Sequence, residues 1–108
     1  FSGSIYETMV IGELFKWVRT CQKNAELFFY RTRSGLEIDV LLQTPSGYVG
    51  MEIKAREQVY ASDTTALKKV AAALGDKWRG GLVIYRGKKI AHLCEPDIWA
   101  VPSWRLFT

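Results

Sequence analysis

A hairpin signal in the middle of the chain constrains the fold more than any other feature. Residues 36–43 alternate between apolar and polar side chains, and residues 48–55 form a second run with strand character. Thr44, Pro45, Ser46 and Gly47 separate the two runs and are typical turn residues. Two strand-like runs joined by so short a turn predict an antiparallel hairpin.

The predicted hairpin places charged residues in register. If it is symmetric about the Pro45–Ser46 bond, Asp39 lies opposite Glu52, and Glu37 lies opposite Lys54. Because side chains alternate between faces, these four residues share one face. The other face is apolar and consists of Ile38, Val40, Leu42, Val49, Met51 and Ile53.

Two interpretations of the charged face remain open. It is either an ordinary solvated face of a half-buried hairpin, or a covered site that binds a cation. Directly opposed carboxylates destabilise a sheet, and a divalent cation between Asp39 and Glu52 removes that penalty. Leu41 shares this face, which favours a covered site. A register shift of one residue would undo the argument.

The neighbouring residues suit phosphodiester hydrolysis. Lys54 points to the same place as Glu52 and can orient a water or neutralise charge that develops on a phosphate. The backbone carbonyl of Ile53 offers a further metal ligand. Glu7 is in phase with the inward face of a predicted helix over residues 4–22, where it is either another ligand or the closing residue of a capping box with Ser4.

The remaining pattern predicts one layered α/β domain over residues 1–108. The expected order is helix, three strands, helix and strand, followed by short terminal strands, which gives a mixed sheet flanked by helices. Beyond the first helix and the hairpin, the predicted elements are a strand over 26–33, a helix over 62–75, a buried parallel strand over 81–86, and short strands over 90–93 and 98–101.

Composition restricts the functional classes. The hydrophobic fraction of 48% allows a buried core, and no apolar run is long enough to span a bilayer. The net charge of +4 permits a polyanionic partner, and the residues that we expect to contact phosphates are Arg31, Arg33, Lys68 and Lys69, although each alone is also typical of ordinary surface.

Cys21 and Cys94 lie in apolar stretches, and we interpret them as reduced core residues. His92 sits in an apolar run and is expected to be packed rather than catalytic. The chain shows no signal-peptide pattern, so we expect a cytoplasmic domain excised from a longer protein.

Asp39, followed after twelve residues by Glu52-Ile53-Lys54, resembles the PD-(D/E)XK nuclease signature, and the element order resembles the core of that restriction-endonuclease-like fold. Almost the whole chain also resembles the uncharacterised C-terminal domain that follows AAA-type ATPases in bacteria and archaea. The matching segments are Gly3–Glu7 with Val10, Tyr30–Asp39 and Glu52–Ala55. This second resemblance implies an upstream P-loop ATPase module in the same protein. The chain has no Walker motif of its own.

The resemblance implies roles for individual residues. Asp39 and Glu52 would bind Mg²⁺ or Mn²⁺, Lys54 would be the catalytic lysine, and Glu7 would match the carboxylate of the family's first helix. The proline that names the motif is absent, because Ile38 precedes Asp39. A homodimer is one way for such a site to address both strands of a duplex.

Three functions compete at this point. The first is a metal-dependent nuclease that cuts DNA in preference to RNA. The second is a non-catalytic domain of nuclease fold that senses nucleic acid or docks for the ATPase, with Trp99, Trp104 and Phe107 as an interface or as core residues. The third is a structural or oligomerisation domain in which the hairpin pattern is fortuitous.

Overall fold

A computed structural model describes residues 3–21 and 24–106. It confirms the predicted mixed α/β architecture. The helices are α1 (Gly3–Cys21), α2 (Thr65–Leu74) and α3 (Ser103–Leu106), and the strands are β1 (Glu26–Arg31), β2 (Glu37–Thr44), β3 (Gly47–Lys54), β4 (Trp78–Tyr85), β5 (Ala91–Cys94) and β6 (Ile98–Pro102).

The six strands form one mixed sheet in the order β1-β2-β3-β4-β6-β5. Pairing is antiparallel from β1 to β3 and between β5 and β6, while β4 is parallel to both β3 and β6. The predicted parallel character of β4 is therefore confirmed. It begins at Trp78, three residues before the expected start, because a short 3₁₀ turn over Gly75–Lys77 leads directly from α2 into the strand.

The predicted register of the hairpin is confirmed between its turn and its middle. Thr44 pairs with Gly47, and the regular ladder continues to Val40 opposite Met51. The turn consists of Pro45 and Ser46, as the turn chemistry indicated.

The strict alternation predicted for β2 is wrong at its first half. Against β1, Phe28 pairs with Leu41 but Tyr30 pairs with Ile38, so Asp39 and Val40 together lie opposite Phe29. Such a one-residue bulge breaks the two-residue period. As a result Ile38 packs in the same apolar cluster as Leu41, not with Val40 as the pattern predicted.

Helices cover both faces of the sheet. Tyr6, Val10 and Leu14 of α1 pack against one face, and Leu67, Val70 and Ala71 of α2 pack against the other. Each set lies on one stripe of its helix, as an amphipathic helix requires. Leu41 is buried beneath α2, so the face that carries Glu52 is covered, as its presence had suggested.

Several apolar residues of α1 and both cysteines are less buried than their apolar surroundings in the sequence indicate. Within α1, Ile5 and Met9 are exposed while Tyr6 is buried, because only one narrow stripe of the helix contacts the sheet. Cys21 is exposed and Cys94 is only partly buried, although both are free thiols as expected. None of the helices in the described residues is long and apolar enough to cross a membrane.

Candidate metal centre

At the open end of the hairpin, hydrogen bonds between the two backbones give way to hydrogen bonds from backbone N–H groups to the side chains of Asp39 and Glu52. The ladder between β2 and β3 is regular as far as Val40, and Asp39 and Glu52 follow directly after its last backbone pair. The backbone N–H of Asp39 donates to Glu52 Oε1 at 3.0 Å, and the backbone N–H of Ile53 donates to Asp39 Oδ2 at 2.7 Å. The two carboxylates are thus held against each other by hydrogen bonds from the opposite strand, in the pair that the sequence predicted.

This arrangement is electrostatically costly for Glu52. Burial, together with the charge of Asp39, raises the pKa of Glu52 from 4.5 to about 7, although the N–H of Asp39 and the charge of Lys54 act in the opposite direction. A half-buried carboxyl beside another carboxylate gains stability from either a proton or a cation. The open end of the hairpin is therefore a place where an added positive charge is favoured.

Glu7 approaches the pair from α1. Burial and the charge of Asp39 raise the pKa of Glu7, and Lys54 partly opposes this shift. The capping-box alternative does not hold, since α1 already includes Gly3 and Ser4 is therefore helical rather than the N-cap. Glu7 is instead a partly buried acid of the second helical turn that faces the open end of the hairpin.

Lys54 is the last residue of β3 and lies beside Tyr85 of β4. Its ammonium lowers the pKa of Glu52 and of Glu7, so it acts on the same group of acids. The predicted pair between Lys54 and Glu37 does not form, because the backbone ladder ends before these residues meet. Glu37 is opposite Arg31 and forms an ion pair with it at 2.8 Å.

The tightest set of potential metal ligands lies elsewhere. Among residues 3–21 and 24–106, only His92, Glu95 and Asp97 offer three ligand atoms within 4.8 Å of one another, so Glu7, Asp39 and Glu52 do not converge to that degree. The cluster of His92, Glu95 and Asp97 is solvent-exposed. Asp97 accepts the indole N–H of Trp99 at 3.1 Å, and Glu95 accepts the backbone N–H of Asp97 at 2.8 Å.

Comparison with protein families decides the affiliation of the chain. A family model described as Domain of unknown function (DUF4143) matches residues 2–106. The chain belongs to the DUF4143 family. No curated protein matches it. The family description carries no activity, so the chemistry of this DUF4143 domain has to be argued from its own residues.

A partly buried ion pair that the sequence reasoning missed positions the chain after Lys54. Both guanidinium nitrogens Nη1 and Nη2 of Arg56 donate to Asp63, at 2.9 and 2.7 Å, and the Asp63 carboxylate also accepts the N–H of Tyr60 at 2.8 Å. Asp63 lies in a 3₁₀ turn (Ala61–Thr64) before α2, where these bonds fix the segment that connects Lys54 to the helix.

The DUF4143 domain has two clefts beside the carboxylate pair. One, of about 520 Å³, lies under α2 and is lined by Glu52, Lys69 and the turn between β1 and β2. The other, of about 480 Å³, is lined by Glu7, Asp39 and Arg31. The metal-ligand candidates therefore lie between two solvent-accessible recesses and not beneath a closed core.

The four predicted phosphate contacts are dispersed. Arg31 and Lys69 line the two clefts, while Arg33 and Lys68 are exposed residues that line neither. Arg31 is already engaged by Glu37, whereas Lys69 has no ion-pair partner among the residues that the structure describes. Of the four, Lys69 combines proximity to Glu52 with an available charge.

Two other expectations about side chains are wrong in the DUF4143 domain. His92 is exposed and packs edge-on against the Trp99 ring with a centroid distance of 5.0 Å, so it is not part of the core. Trp99 and Trp104 are 38% and 50% exposed, which excludes core packing as their main use. Phe107 lies outside the described residues.

Proposed function

We propose that this DUF4143 domain is a divalent-metal-dependent nuclease that hydrolyses phosphodiester bonds, in DNA in preference to RNA. The observation that carries the proposal is that the Asp39 and Glu52 carboxylates lie together at the open end of the hairpin, where each accepts a backbone N–H from the opposite strand. Two adjoining acids repel each other, and a divalent cation between them removes that repulsion. The resemblance to the PD-(D/E)XK signature supports the same assignment for the same two residues.

The donor set fits a hard divalent cation. Carboxylate oxygens are the ligands that Mg²⁺ and Mn²⁺ prefer, and each of these carboxylates gives one oxygen to a backbone N–H. Asp39 and Glu52 would hold the ion, with the carbonyl of Ile53 as an extra ligand and Glu7 at greater distance. Such an ion supplies a bound water of lowered pKa and stabilises charge on the phosphate.

The protein's own groups complete the reaction. Lys54 donates hydrogen bonds to a phosphate oxygen, so negative charge that builds up during attack is stabilised. The ion pair between Arg56 and Asp63 fixes the chain that follows Lys54 and thereby its direction. Glu7 accepts a hydrogen bond from the attacking water and orients it.

The proposal includes the wider protein. We propose an upstream P-loop ATPase module in the same chain, a cytoplasmic location and nucleic acid as the partner. The support is the sequence resemblance to domains that follow AAA-type ATPases, together with the net charge of +4.

The test is Mn²⁺ binding by calorimetry with two matched variants. Asp39→Asn keeps an oxygen that accepts the N–H of Ile53 but removes the charge, so we expect at least a tenfold loss of affinity. Asp97→Asn makes the same change in the cluster of His92, Glu95 and Asp97, and we expect unchanged affinity. If only Asp97→Asn weakens binding, the ion belongs to the turn between β5 and β6 and the nuclease proposal fails.

Cleavage is tested with the same variants. Plasmid DNA with Mn²⁺ is expected to be cut by the wild type and by Asp97→Asn, but not by Asp39→Asn or Glu52→Gln. Equal cleavage by all four proteins would point to a contaminating nuclease and contradict the proposal.

A non-catalytic nucleic-acid-sensing or docking domain of the ATPase is the second candidate. One observation favours it, namely that Glu7, Asp39 and Glu52 do not bring three ligand atoms within 4.8 Å of one another. In that case a proton on Glu52 would satisfy the pair, and the two carboxyls would serve as a clasp for the hairpin. Nucleic-acid binding without Mn²⁺ binding or cleavage would select this candidate.

A further inference from the structure

The cleft under α2 is the feature that the proposed function has not yet used. Its volume of about 520 Å³ falls within the range of about 300–1,000 Å³ that is usual for small-molecule sites, so it suits a single nucleotide unit rather than a duplex. It opens beside Glu52, on the face of the sheet that α2 covers. Whatever occupies it lies next to the proposed metal centre.

Polar and apolar groups share the lining of this cleft, and its charges are asymmetric. Ser34 and Gly35 come from the turn between β1 and β2, Ser62 comes from the 3₁₀ turn before α2, and Thr65 is the first residue of α2. Hydroxyls and turn backbone of this kind commonly contact nucleic-acid phosphates and sugars without reading bases.

Two acids and one cation also line the cleft. Glu37 is neutralised by Arg31, whose Nε and Nη2 donate to its Oε2 at 2.9 and 2.8 Å. Glu52 belongs to the metal centre. Lys69 is then the cation left for a ligand, since it makes no ion pair within the described part of the chain.

We infer that this cleft is a subsite for the phosphodiester next to the one that is cleaved, and that Lys69 is the positioning residue that binds its phosphate. The inference rests on the proposed function, because a nuclease site at Glu52 sets the path that the nucleic-acid strand takes past this cleft. It assigns separate roles to the two adjacent lysines of α2. Lys69 contacts the substrate strand inside the cleft, whereas Lys68 is exposed outside it.

Lys68 is therefore a matched control for Lys69. Both lysines are exposed residues of the same helix, and replacing either by Ala removes one charge and preserves helix propensity. The total charge of Lys68→Ala and Lys69→Ala is the same, so nonspecific attraction to nucleic acid falls equally in the two variants. Any difference in nucleic-acid affinity between the two variants therefore reflects the position of Lys69 in the cleft.

The experiment measures binding of a labelled DNA duplex and the corresponding RNA by fluorescence anisotropy, with Ca²⁺ in place of Mn²⁺. We expect Lys69→Ala to weaken binding about fivefold to tenfold and to reduce the slope of log K against log salt by about 0.9, as the loss of one phosphate contact predicts. Lys68→Ala should change affinity by less than about twofold, and Lys69→Arg should restore most of it. Whichever of the DNA and the RNA shows this Lys69 dependence identifies the nucleic acid that the cleft binds.

The outcomes separate the inference from the proposed function. A selective loss in Lys69→Ala without any cleavage by the wild type supports the subsite and contradicts the nuclease. Cleavage by the wild type with equal effects of the two lysines contradicts the subsite and leaves the nuclease intact. The subsite is also overturned if neither nucleic acid binds at a concentration about 100-fold above the expected micromolar dissociation constant.

Discussion

Glu52 and Asp63 are two acids on either side of Lys54 that have opposite electrostatic states. Glu52 faces Asp39, and burial with that neighbouring charge raises its pKa to about 7. Asp63 is only 4% exposed at its side chain, yet hydrogen bonds from Arg56 lower its pKa below 3.8. Burial alone does not decide the difference, because the Asp63 side chain is also largely covered and still stays ionised.

The difference lies in whether the fold itself supplies a counter-charge. Asp63 has a guanidinium with two hydrogen bonds and a backbone N–H, which is how a structural ion pair is satisfied. Glu52 also accepts one backbone N–H, but the side chain it faces is a second carboxylate, whose charge the ammonium of Lys54 only partly offsets. An acid in this condition is a candidate for a functional site, since the missing charge can arrive with a ligand.

The largest expected effect comes from removing the charge of Lys54. Lys54→Met should lower cleavage about 100-fold while leaving Mn²⁺ affinity within about threefold, because the lysine stabilises the reacting phosphate and does not hold the ion. Single-turnover cleavage and calorimetry measure the two quantities. An equal loss of cleavage and of Mn²⁺ affinity would mean that Lys54 acts on metal binding, and the contrast between Glu52 and Asp63 would no longer hold.

The next effect concerns the satisfied acid. Asp63→Asn should destabilise the domain by about 2 kcal/mol, because it weakens a largely buried charge-assisted contact and leaves Arg56 without its counter-charge. The control is Glu37→Gln, which breaks the exposed pair with Arg31 and should cost less than about 0.5 kcal/mol. Urea denaturation at pH 7 measures both. A similar cost for the two variants would show that the buried pair is no stronger than an exposed one.

The smallest effect is a dependence of stability on pH with the sign set by Glu52. Because its folded pKa of about 7 exceeds its unfolded value of 4.5, its contribution is complete below pH 4.5 and is lost as the pH rises through 7. After allowance for solvent screening, the metal-free protein should lose about 1 kcal/mol between pH 5 and pH 8. Asp63 contributes in the opposite sense, since its lowered pKa gives stability that is lost only as the pH falls below 3.8.

The matched variant for this last prediction is Glu52→Gln. The glutamine cannot ionise, so the unfolding free energy of this variant should fall less between pH 5 and pH 8 than that of the wild type, with Glu7 responsible for the remaining fall, and Mn²⁺ should no longer raise its melting temperature. Urea denaturation at several pH values compares it with the wild type. A wild-type curve that rises with pH would mean that Glu52 is not crowded as the structure indicates.

Local chemistry predicted the centre of the molecule well. The turn at Pro45–Ser46 and the alternation around it placed Asp39 against Glu52, because a hairpin with a short turn leaves only one register that buries an apolar face. The parallel character of β4 followed from its continuous apolar run.

Long-range contacts explain what the sequence could not predict. The bulge at Asp39 arises from pairing with β1 and has no local signature, so the placement of Ile38 was wrong. The role of Asp63 depends on Arg56, seven residues earlier, and the local sequence pattern does not show that these two side chains meet. The pattern of β5 could not show which of its faces the sheet would leave uncovered, so His92 was assigned to the core.

The bulge in β2 makes the length of that strand part of the site. Asp39 and Val40 share one position opposite Phe29, so β2 contains one more residue than a regular ladder needs. Deleting Val40 would let β2 pair with β1 in a regular ladder without the bulge. The same deletion would also rotate the carboxylate away from Glu52, so a chain one residue shorter could keep every residue type of the motif and still lose its geometry. Comparisons of related sequences therefore have to count residues between the β1–β2 turn and Leu41, in addition to checking that an aspartate is present.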